Sequence, residues 1–451
     1  MRERRHGACL ARALPGAIFL ACALWHGAQA TSGQDVAREE LVLPSGARLT
    51  VVQTPGAQLA SLGLYFPAGT ARTPDQPALA YLAPRLFLGS RMESVADDSS
   101  LEDFLGESGW RVTEKSDLDG AGILLAGQAD RLETVLRHCL SRLSHPDRWD
   151  EAEFARAWRE HRQRLDAWAQ NPETLLRARM AARQYGEHPY RCGLGQRDES
   201  PAPSPEALRA FMNEHYQAGA ASILAAGPFD PEGFLADFMA DFDALEGHAP
   251  AAPVLSGFEP GAGRIELEGE AAQIIVQFPG VPGAHADAPA LALLAGVLQQ
   301  LLQNDLAGDA QLARSASAYY DYTAAAPRPL EVQVRQFAPE DREQVEARLA
   351  RILERLRAAE FSEYQVITAK DAIFQSMDAV AKKGPRGSDP DALLNWSWDT
   401  LRQSLHFARW RDSFEMRVLG TGKERIAAQA RASLDLDRAT FGLLMPAEGL
   451  D

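Results

Sequence analysis

The sequence predicts an α+β protein of two related domains in tandem, each a mostly antiparallel sheet packed with helices. One segment of the chain occurs twice, at residues 66–82 and 278–294, and the two copies align without a gap. Hairpin-type strands come in blocks followed by blocks of helices, which is typical of α+β layers rather than of a doubly wound parallel sheet. Residues 247–262 are rich in Ala, Pro and Gly, as in a linker.

The repeated segment joins a strand end to a helix start. In both copies Phe-Pro is followed by an Asp and then by Pro-Ala-Leu-Ala, with a strand-like run before it and an apolar helical run after it. The copies read Phe66-Pro67, Asp75, Pro77-Ala78-Leu79-Ala80 and Phe278-Pro279, Asp287, Pro289-Ala290-Leu291-Ala292. A match over this many positions indicates two homologous domains, and the helix after the strand is a natural place for inward-facing groups.

The first half is predicted to begin with a hairpin and to continue with further strands and helices. Alternation around Pro44-Ser45-Gly46 predicts the hairpin. Pro77 suits the first turn of a helix, and Ser204 followed by Pro205 is typical of a capped helix start. The predicted strands are 40–53 as a hairpin, 62–66, 110–112, 123–126 and 222–226. The predicted helices are 77–88, one starting at 101, 131–143, 149–169, 174–185, 204–216 and one starting at 231.

The second half repeats this order of elements. Strands are predicted near 263–267, 273–278, 315–322 and 330–334, and helices over 288–302, over 345–356 and from 361 onward. We therefore expect a signal peptide at 1–30, an N-terminal domain at 31–246, a linker at 247–262 and a C-terminal domain at 263–451.

The first thirty residues are typical of a secretory signal peptide. Arg2, Arg4 and Arg5 form a basic start, residues 13–25 are apolar, and Ala28-Gln29-Ala30 is a small-x-small cleavage site. The apolar run is too short to span a bilayer, and no later stretch approaches the roughly 18 apolar residues that a span needs. We expect a periplasmic or secreted protein without a membrane span, cleaved near Ala30.

The charge of the chain argues against a nucleic acid partner. The formal net charge is −16, and the signal peptide carries four Arg and one Glu, so the mature chain would carry −19. A protein this acidic repels phosphates and anionic lipid. Only Cys139 and Cys192 remain after cleavage, which allows either one disulfide or two buried free thiols.

Several short motifs, taken in order and with their spacing, resemble the pitrilysin/insulinase-type zinc metallopeptidases, a family that includes mitochondrial processing peptidase. The resemblance covers nearly the whole mature chain and implies two similar α+β domains, in agreement with the repeat. Its motifs are Leu43-Pro44-Ser45-Gly46, Ala78-Leu79-Ala80, Leu86-Phe87-Leu88-Gly89-Ser90, Asn171-Pro172, His188-Pro189-Tyr190 with Gly195, Phe211 with His215-Tyr216, and Ala226-Gly227-Pro228-Phe229-Asp230.

The zinc motif of that family is missing. Active members carry His-x-x-Glu-His on this helix, in which two His at i and i+4 hold zinc and the Glu activates the bound water. This chain has Tyr81, Pro84 and Arg85 at the three positions, or Ala80, Ala83 and Pro84 if the frame slips by one residue. Neither frame offers an imidazole or a carboxylate. Pro84 inside the helix predicts that the helix is kinked or shortened.

The resemblance implies a third zinc ligand, a Glu in the helix before Asn171, and Glu160 is the nearest acid. Glu160 is either a relic of that ligand or a solvated residue of a highly charged helix. One carboxylate cannot replace a three-ligand site. We therefore expect no zinc and no other cofactor at this degenerate zinc slot, which comprises Tyr81, Pro84, Arg85 and Glu160.

The second domain of family members offers an Arg and a Tyr that hold the substrate. The matching positions are Ala307 in place of the Arg and Arg314 in place of the Tyr, which together form a degenerate substrate-binding pair. In two-chain members the inactive partner often keeps this pair. Close by, Tyr319, Tyr320 and Tyr322 predict an aromatic strand face.

Other candidate sites have simpler structural interpretations. Asp117 and Asp119 resemble a short calcium run but predict a turn between strands, and His188 is expected to cap a turn. One helical stretch carries four aromatic residues, for which core packing is the default and a docking face for a partner is the alternative. These four are Trp396, Trp398, Phe407 and Trp410.

Together, the resemblance and the degenerate slot predict an exported non-catalytic subunit. It would pair with a zinc-bearing homologous peptidase and help to form a closed chamber for peptide substrates. Two alternatives stay open: an active metalloendopeptidase with a non-standard site, and a stand-alone peptide-binding or scaffold protein. The missing motif argues against an enzyme.

Overall fold

Two mixed sheets organise the computed structural model, which describes residues 37–89, 100–192, 202–248, 259–308, 311–381, 389–406 and 411–447. The six-stranded sheet consists of β1 (Arg38–Val42), β2 (Arg48–Gln53), β3 (Leu59–Phe66), β4 (Arg111–Ser116), β5 (Ala121–Gln128) and β6 (Ser222–Gly227). The five-stranded sheet consists of β7 (Gly263–Glu268), β8 (Ala272–Phe278), β9 (Ala313–Tyr320), β10 (Leu330–Phe337) and β11 (Thr440–Met445). The predicted signal peptide, Gly195, Phe407, Trp410 and most of the predicted linker lie outside the described residues.

The two sheets share one topology. Their strand orders are β1-β2-β6-β3-β5-β4 and β7-β11-β8-β10-β9. In each sheet the last strand in chain order is inserted between two earlier strands. β6 is parallel to β2 and antiparallel to β3, and β11 is parallel to β7 and antiparallel to β8. All remaining pairings are antiparallel. The predicted α+β class and the internal repeat are thereby confirmed, with β3 and β8 as the equivalent strands.

Helices follow the strands in the predicted order. In the first half they are α1 (Ala78–Gly89), α2 (Leu101–Glu107), α3 (Leu132–Ser144), α4 (Glu151–Gln170), α5 (Pro172–Tyr185), α6 (Pro205–His215) and α7 (Pro231–Asp243). In the second half they are α8 (Ala288–Leu302), α9 (Arg342–Arg357), α10 (Glu363–Ala381), α11 (Pro390–His406), α12 (Arg411–Gly420) and α13 (Lys423–Ser433). None of these helices combines the length and the apolar character needed to cross a membrane.

One helix departs from its prediction. Pro84 does not shorten α1, which continues to Gly89. A proline lacks the N–H that would bond to the carbonyl four residues earlier, which here is that of Ala80. The hydroxyl of Ser116 on β4 donates a hydrogen bond of 3.0 Å to this Ala80 carbonyl. Because the orphaned acceptor has a partner, the helix tolerates the proline.

Each sheet packs one face against helices of its own half and the other face against a helix of the other half. One face of the first sheet packs against α11, where Tyr65, Leu124 and Leu224 form an apolar cluster with Trp398 and Leu401. Ile275 and Leu444 of the second sheet meet Leu176 and Met180 of α5. Since α5 and α11 hold equivalent positions in the repeat, the two halves exchange covering helices reciprocally. The chain from residue 36 onward accordingly forms one compact unit.

Glycines allow these helices to approach the sheets. A Cβ built on Gly122 of β5 would lie 2.5 Å from the Trp398 ring, and one on Gly442 of β11 would lie 2.4 Å from the Met180 sulfur. The ring of Trp398 also lies 5.4 Å from that of Tyr65, centroid to centroid. Core packing is therefore confirmed for Trp398, and Trp396 packs half-buried against the same cluster.

Several smaller predictions are also decided. Asp117 Oδ1 accepts the backbone N–H groups of Asp119 and Gly120 at 2.9 and 2.8 Å, so this segment is a turn between β4 and β5. His188 Nδ1 accepts the Tyr190 N–H at 3.2 Å and caps a turn. Of the two alternatives for the cysteines, the structure shows two buried thiols rather than a disulfide. Burial raises the pKa of Cys139 to about 12.

Candidate functional site

The degenerate zinc slot is organised around the guanidinium of Arg85. Its Nε donates to Glu160 Oε2 on α4 at 2.8 Å, and its Nη1 donates to Glu102 Oε1 on α2 at 2.7 Å. A third carboxylate, that of Glu114 on β4, lies 3.4 Å from Nη1. Four separate elements therefore converge on one cation.

These contacts favour one of the two frames considered for the motif. Arg85 bonds to the very acid that the resemblance marks as the third ligand position, whereas Ala80 and Ala83 are buried apolar residues. The frame Tyr81, Pro84 and Arg85 therefore matches the geometry. Glu160 is accordingly not just a solvated residue of a charged helix, because it holds a specific partner.

Electrostatics at the slot favour a charged arginine. Burial would lower the pKa of Arg85, but the hydrogen bonds that it donates to Glu102 and Glu160 outweigh this effect, and the pKa lies above its usual range. Burial raises the pKa of Glu114 in spite of the nearby cations Arg85 and Arg164. A permanent cation thus stands where a divalent ion would have to sit.

Tyr81 and Pro84 add no metal ligand. The ring of Tyr81 stacks on His161 at 5.4 Å and meets the edge of Trp168 at 5.8 Å, centroid to centroid. Burial raises the pKa of the Tyr81 phenol above its usual range, so it stays protonated. Pro84 is buried and has no group that could exchange a proton.

The residues of the slot do not fit zinc. Within the described part of the chain, no group of three or more His, Cys, Asp or Glu side chains is arranged to hold a metal ion. At the slot itself, the three carboxylates are directed at Arg85. Zinc would have to displace this guanidinium, and none of Tyr81, Pro84, Arg85 and Glu160 supplies an imidazole.

The degenerate substrate-binding pair is split. Ala307 ends a short π-helical segment, Gln303–Ala307, and packs against the core of the second half. Arg314 lies exposed on β9 and lines a cavity of about 640 Å³. The three nearby tyrosines do not form one face: Tyr319 is exposed, Tyr320 is buried, and Tyr322 lies beyond the strand and stacks on Phe414 at 4.9 Å. The predicted aromatic strand face is therefore wrong, because neighbouring residues of a strand point to opposite faces.

A second cavity, of about 370 Å³, lies beside the slot and between the halves. Tyr81 lines it together with Arg177 and Tyr185 of α5 and with Arg328 and Glu331 of the second half. Gln277 also lines it, donating from Nε2 to Glu331 at 2.8 Å. The walls are thus polar and aromatic and come from both halves.

Four ion pairs join the halves around these cavities. Two of them connect the β4–β5 turn to arginines of the second half: Asp117 with Arg402 at 3.3 Å and Asp119 with Arg328 at 3.1 Å. The other two connect α5 to β10: Arg177 with Glu331 at 2.9 Å and Glu173 with Arg335 at 2.6 Å. Arg328 and Arg402 could not be predicted from the sequence, because their partners are distant in the chain.

The pKa values of two carboxyl groups in this network are shifted in opposite directions. Burial raises the pKa of Asp117, although Arg402 opposes it. Burial would also raise the pKa of Asp321, but Arg402, at 3.0 Å, and Arg328 outweigh it and lower this pKa. Asp321 is therefore the carboxylate that the arginines stabilise most clearly as a charge.

Comparisons with known proteins agree with this fold. Residues 204–373 match the model of the Peptidase M16 inactive domain. A protease from Helicobacter pylori has a TM-score of 0.73 at 15% identity over 91% of this chain and 100% of that chain. A peptidase M16 inactive domain from Pseudomonas fluorescens has 0.71 at 18% identity over 91% and 98%. A chain of Complex III2 from Candida albicans has 0.67 at 14% identity over 92% and 97%.

No curated protein sequence matches this chain. M16 is the class of the pitrilysin- and insulinase-type peptidases, so the resemblance drawn from the sequence motifs is confirmed. The chain is M16-like in fold over nine-tenths of its length, and the segment that matches a family model matches the inactive domain.

Proposed function

We propose that this M16-like chain is an exported, non-catalytic subunit that pairs with a zinc-bearing homologue and helps to form a peptide-binding chamber. The observation that carries the proposal is the Arg85 guanidinium, which bonds to Glu160 at the position of the zinc ligands. Zinc catalysis needs a metal-bound water and a base beside it. Neither Pro84 nor the protonated Tyr81 supplies that chemistry.

The remaining architecture supports a role in binding. Both sheets carry covering helices, ion pairs join the halves, and two cavities with polar side chains in their walls lie along the seam between them. A chain of similar fold belongs to Complex III2 in Candida albicans, which makes a place in an assembly the favoured reading. The signal-peptide pattern at residues 1–30 supports export.

Zinc content tests the non-catalytic part of the proposal. Elemental analysis of the purified mature chain should find far less than one zinc per chain. The triple variant Tyr81→His, Pro84→Glu, Arg85→His restores the motif opposite Glu160 and should bind about one zinc per chain. The matched control Ala80→His, Ala83→Glu, Pro84→His places the same residues in the slipped frame and should bind none.

Stoichiometric zinc in the unaltered chain would refute the proposal, as would peptide cleavage that a chelator abolishes in a preparation free of other peptidases. Zinc binding by the slipped-frame control would show that the frame is wrong.

Co-purification tests the partnership. A tagged chain expressed from its own locus should be recovered with a homologue that carries His-x-x-Glu-His, at a ratio close to one to one. A chain that elutes alone as a monomer under the same conditions would contradict the pairing. A stand-alone peptide-binding protein would then be the better description.

A further inference from the structure

Building on the proposed peptide-binding role, we propose that the 640 Å³ cavity between the halves binds a carboxylate. This group would be the C-terminus or an acidic side chain of a bound peptide. The junction of α4 and α5 forms one wall, and the ends of β8, β9 and β10 form the other. Four independent features of these walls favour an anion.

The first feature is a buried donor without an acceptor. Gln273 on β8 lines the cavity, its side chain is 7% exposed, and its Nε2 has no hydrogen-bond partner among the described residues. A buried N–H group without an acceptor destabilises the folded state. An acceptor that the chain itself does not provide would satisfy it.

The second feature is an available cation. Arg314 on β9 lines the cavity, and no hydrogen bond or ion pair joins it to another described residue. Its neighbour Arg335, by contrast, donates to Glu173 and Gln333. Arg335 pairs in register with Gln273 on one side and with Ser315 on the other, so these three residues share one face of the sheet. Arg314 lines the same cavity from β9, the edge strand.

The third feature is the N-terminus of α5, a helix of 14 residues. Asn171 and Pro172 at its start line the cavity, and Asn171 Oδ1 caps the N–H of Thr174 at 3.0 Å. The partial positive charge of a helix N-terminus favours an anion. Each wall of the cavity therefore carries a feature that favours an anion, the helix N-terminus on one side and Arg314 on the other.

The fourth feature is backbone strain at the wall. Gln336 has φ +55° and sits at a β-bulge between Arg335 and Phe337. A non-glycine residue in the left-handed region is uncommon, and such residues cluster at ligand sites. The bulge leaves Gln336 without a register partner on β8, at the wall of the cavity.

Two acids also line the cavity and set its balance of charge. Glu173 is already held by Arg177 and Arg335. Glu270 is exposed at the rim. Its negative charge opposes a carboxylate, so Glu270→Gln should tighten binding of an acidic probe.

Titration calorimetry on the full mature chain tests the site with three probes. These are acetyl-tetra-alanine with a free C-terminus, the same peptide as its amide, and an amide in which the third alanine is replaced by Glu. Both acidic probes should bind at least about tenfold more tightly than the neutral amide, because hydrogen bonds to a charged group are the stronger ones. A preference for only one acid would identify the source of the carboxylate.

Variants separate this site from a structural role. Arg314→Gln should weaken the acidic probes about tenfold and leave the neutral probe unchanged, whereas Arg351→Gln, on the exposed side of α9, should change neither. Gln273→Met should weaken the acidic probes while raising the melting temperature, because it removes the unsatisfied donor. A residue with only a structural role would not show these opposite effects.

The carboxylate site is refuted if the neutral amide binds as tightly as the acids, if no probe binds, or if Arg314→Gln leaves their affinities unchanged. Equal binding of all three probes would leave the proposed peptide-binding chamber intact. Stoichiometric zinc in a chain that still selects acidic probes would refute the non-catalytic role and leave the carboxylate site intact.

Discussion

Arg85 supplies the positive charge that balances the acids of the degenerate zinc slot. Three carboxylates from three elements face its guanidinium, and only 15% of the Arg85 side chain is exposed. Without a cation these acids would repel one another at short range. Arg85 therefore stabilises the packing of the elements around the slot.

Replacing Arg85 by Met should lower the free energy of unfolding by about 1–2 kcal/mol, because Glu102, Glu114 and Glu160 lose their common partner while two of them stay half-exposed to water. The loss should be larger at pH 8 than at pH 4, since protonated carboxyls no longer repel. Urea denaturation at both pH values measures it.

A surface ion pair provides the control for that variant. Arg137→Met removes the exposed pairs with Glu133 and Asp241 and should cost less than about 0.5 kcal/mol. Equal losses for Arg85→Met and Arg137→Met, or a loss that does not depend on pH, would contradict the role assigned to Arg85.

Among the elements, α1 shows how a helix can accommodate a proline. Ser116 on the neighbouring strand supplies the donor that Pro84 removes from the Ala80 carbonyl. The sequence shows the proline but not the compensating hydroxyl, which lies 32 residues away. This is why the predicted shortening failed while the strands and helices themselves, which depend on local period, were found.

Two glycines that face covering helices predict unequal costs. Gly122→Ala places a methyl group against the rigid ring of Trp398, whereas Gly442→Ala meets the flexible end of Met180. We expect losses in free energy of unfolding of about 2–3 kcal/mol for the first and about 1 kcal/mol for the second. Thermal and urea denaturation provide the measurement.

Gly106→Ala is the matched control for these variants. Gly106 lies within α2 with open space at its Cβ position. Alanine there should stabilise the protein by about 0.5–1 kcal/mol. A larger loss for Gly442→Ala than for Gly122→Ala would show that the α11 contact is less tight than described.

At the scale of the whole molecule, we expect the ion network around the seam between the halves to influence how the free energy of unfolding falls at acidic pH. The pKa of Asp321 is lowered, so its contribution is present above the unfolded-state pKa and is lost as the pH falls through the lower folded-state value. Asp321→Asn should therefore destabilise the protein at pH 7 and flatten the loss of stability below about pH 4. Denaturation between pH 2.5 and 8 tests this.

Asp117→Asn is the contrasting variant. The pKa of Asp117 is raised, so its charge is unfavourable at neutral pH, and Asn keeps the oxygen that accepts the two turn N–H groups. It should cost less at pH 7 than Asp321→Asn does. The opposite order would mean that Arg402 relies on Asp117 more than on Asp321.

The sequence predicts the architecture more completely than it predicts the site. The repeat and the periodicity of apolar residues define the two halves and most elements, and the motif positions identify Tyr81, Pro84 and Arg85. The partners of Arg85 could not be predicted, because Glu102, Glu114 and Glu160 come together only when four elements pack. The same holds for Arg328 and Arg402, whose carboxylates are more than two hundred residues away or belong to another loop.

The exchange of covering helices has a consequence for synthesis. The six strands of the first sheet are complete at residue 227, yet α11, which covers one of its faces, starts only at residue 390. A nascent or translocating chain must therefore keep an apolar surface around Tyr65 and Leu124 open while some 160 further residues emerge. The first sheet is therefore fully covered only after the last third of the polypeptide has been made.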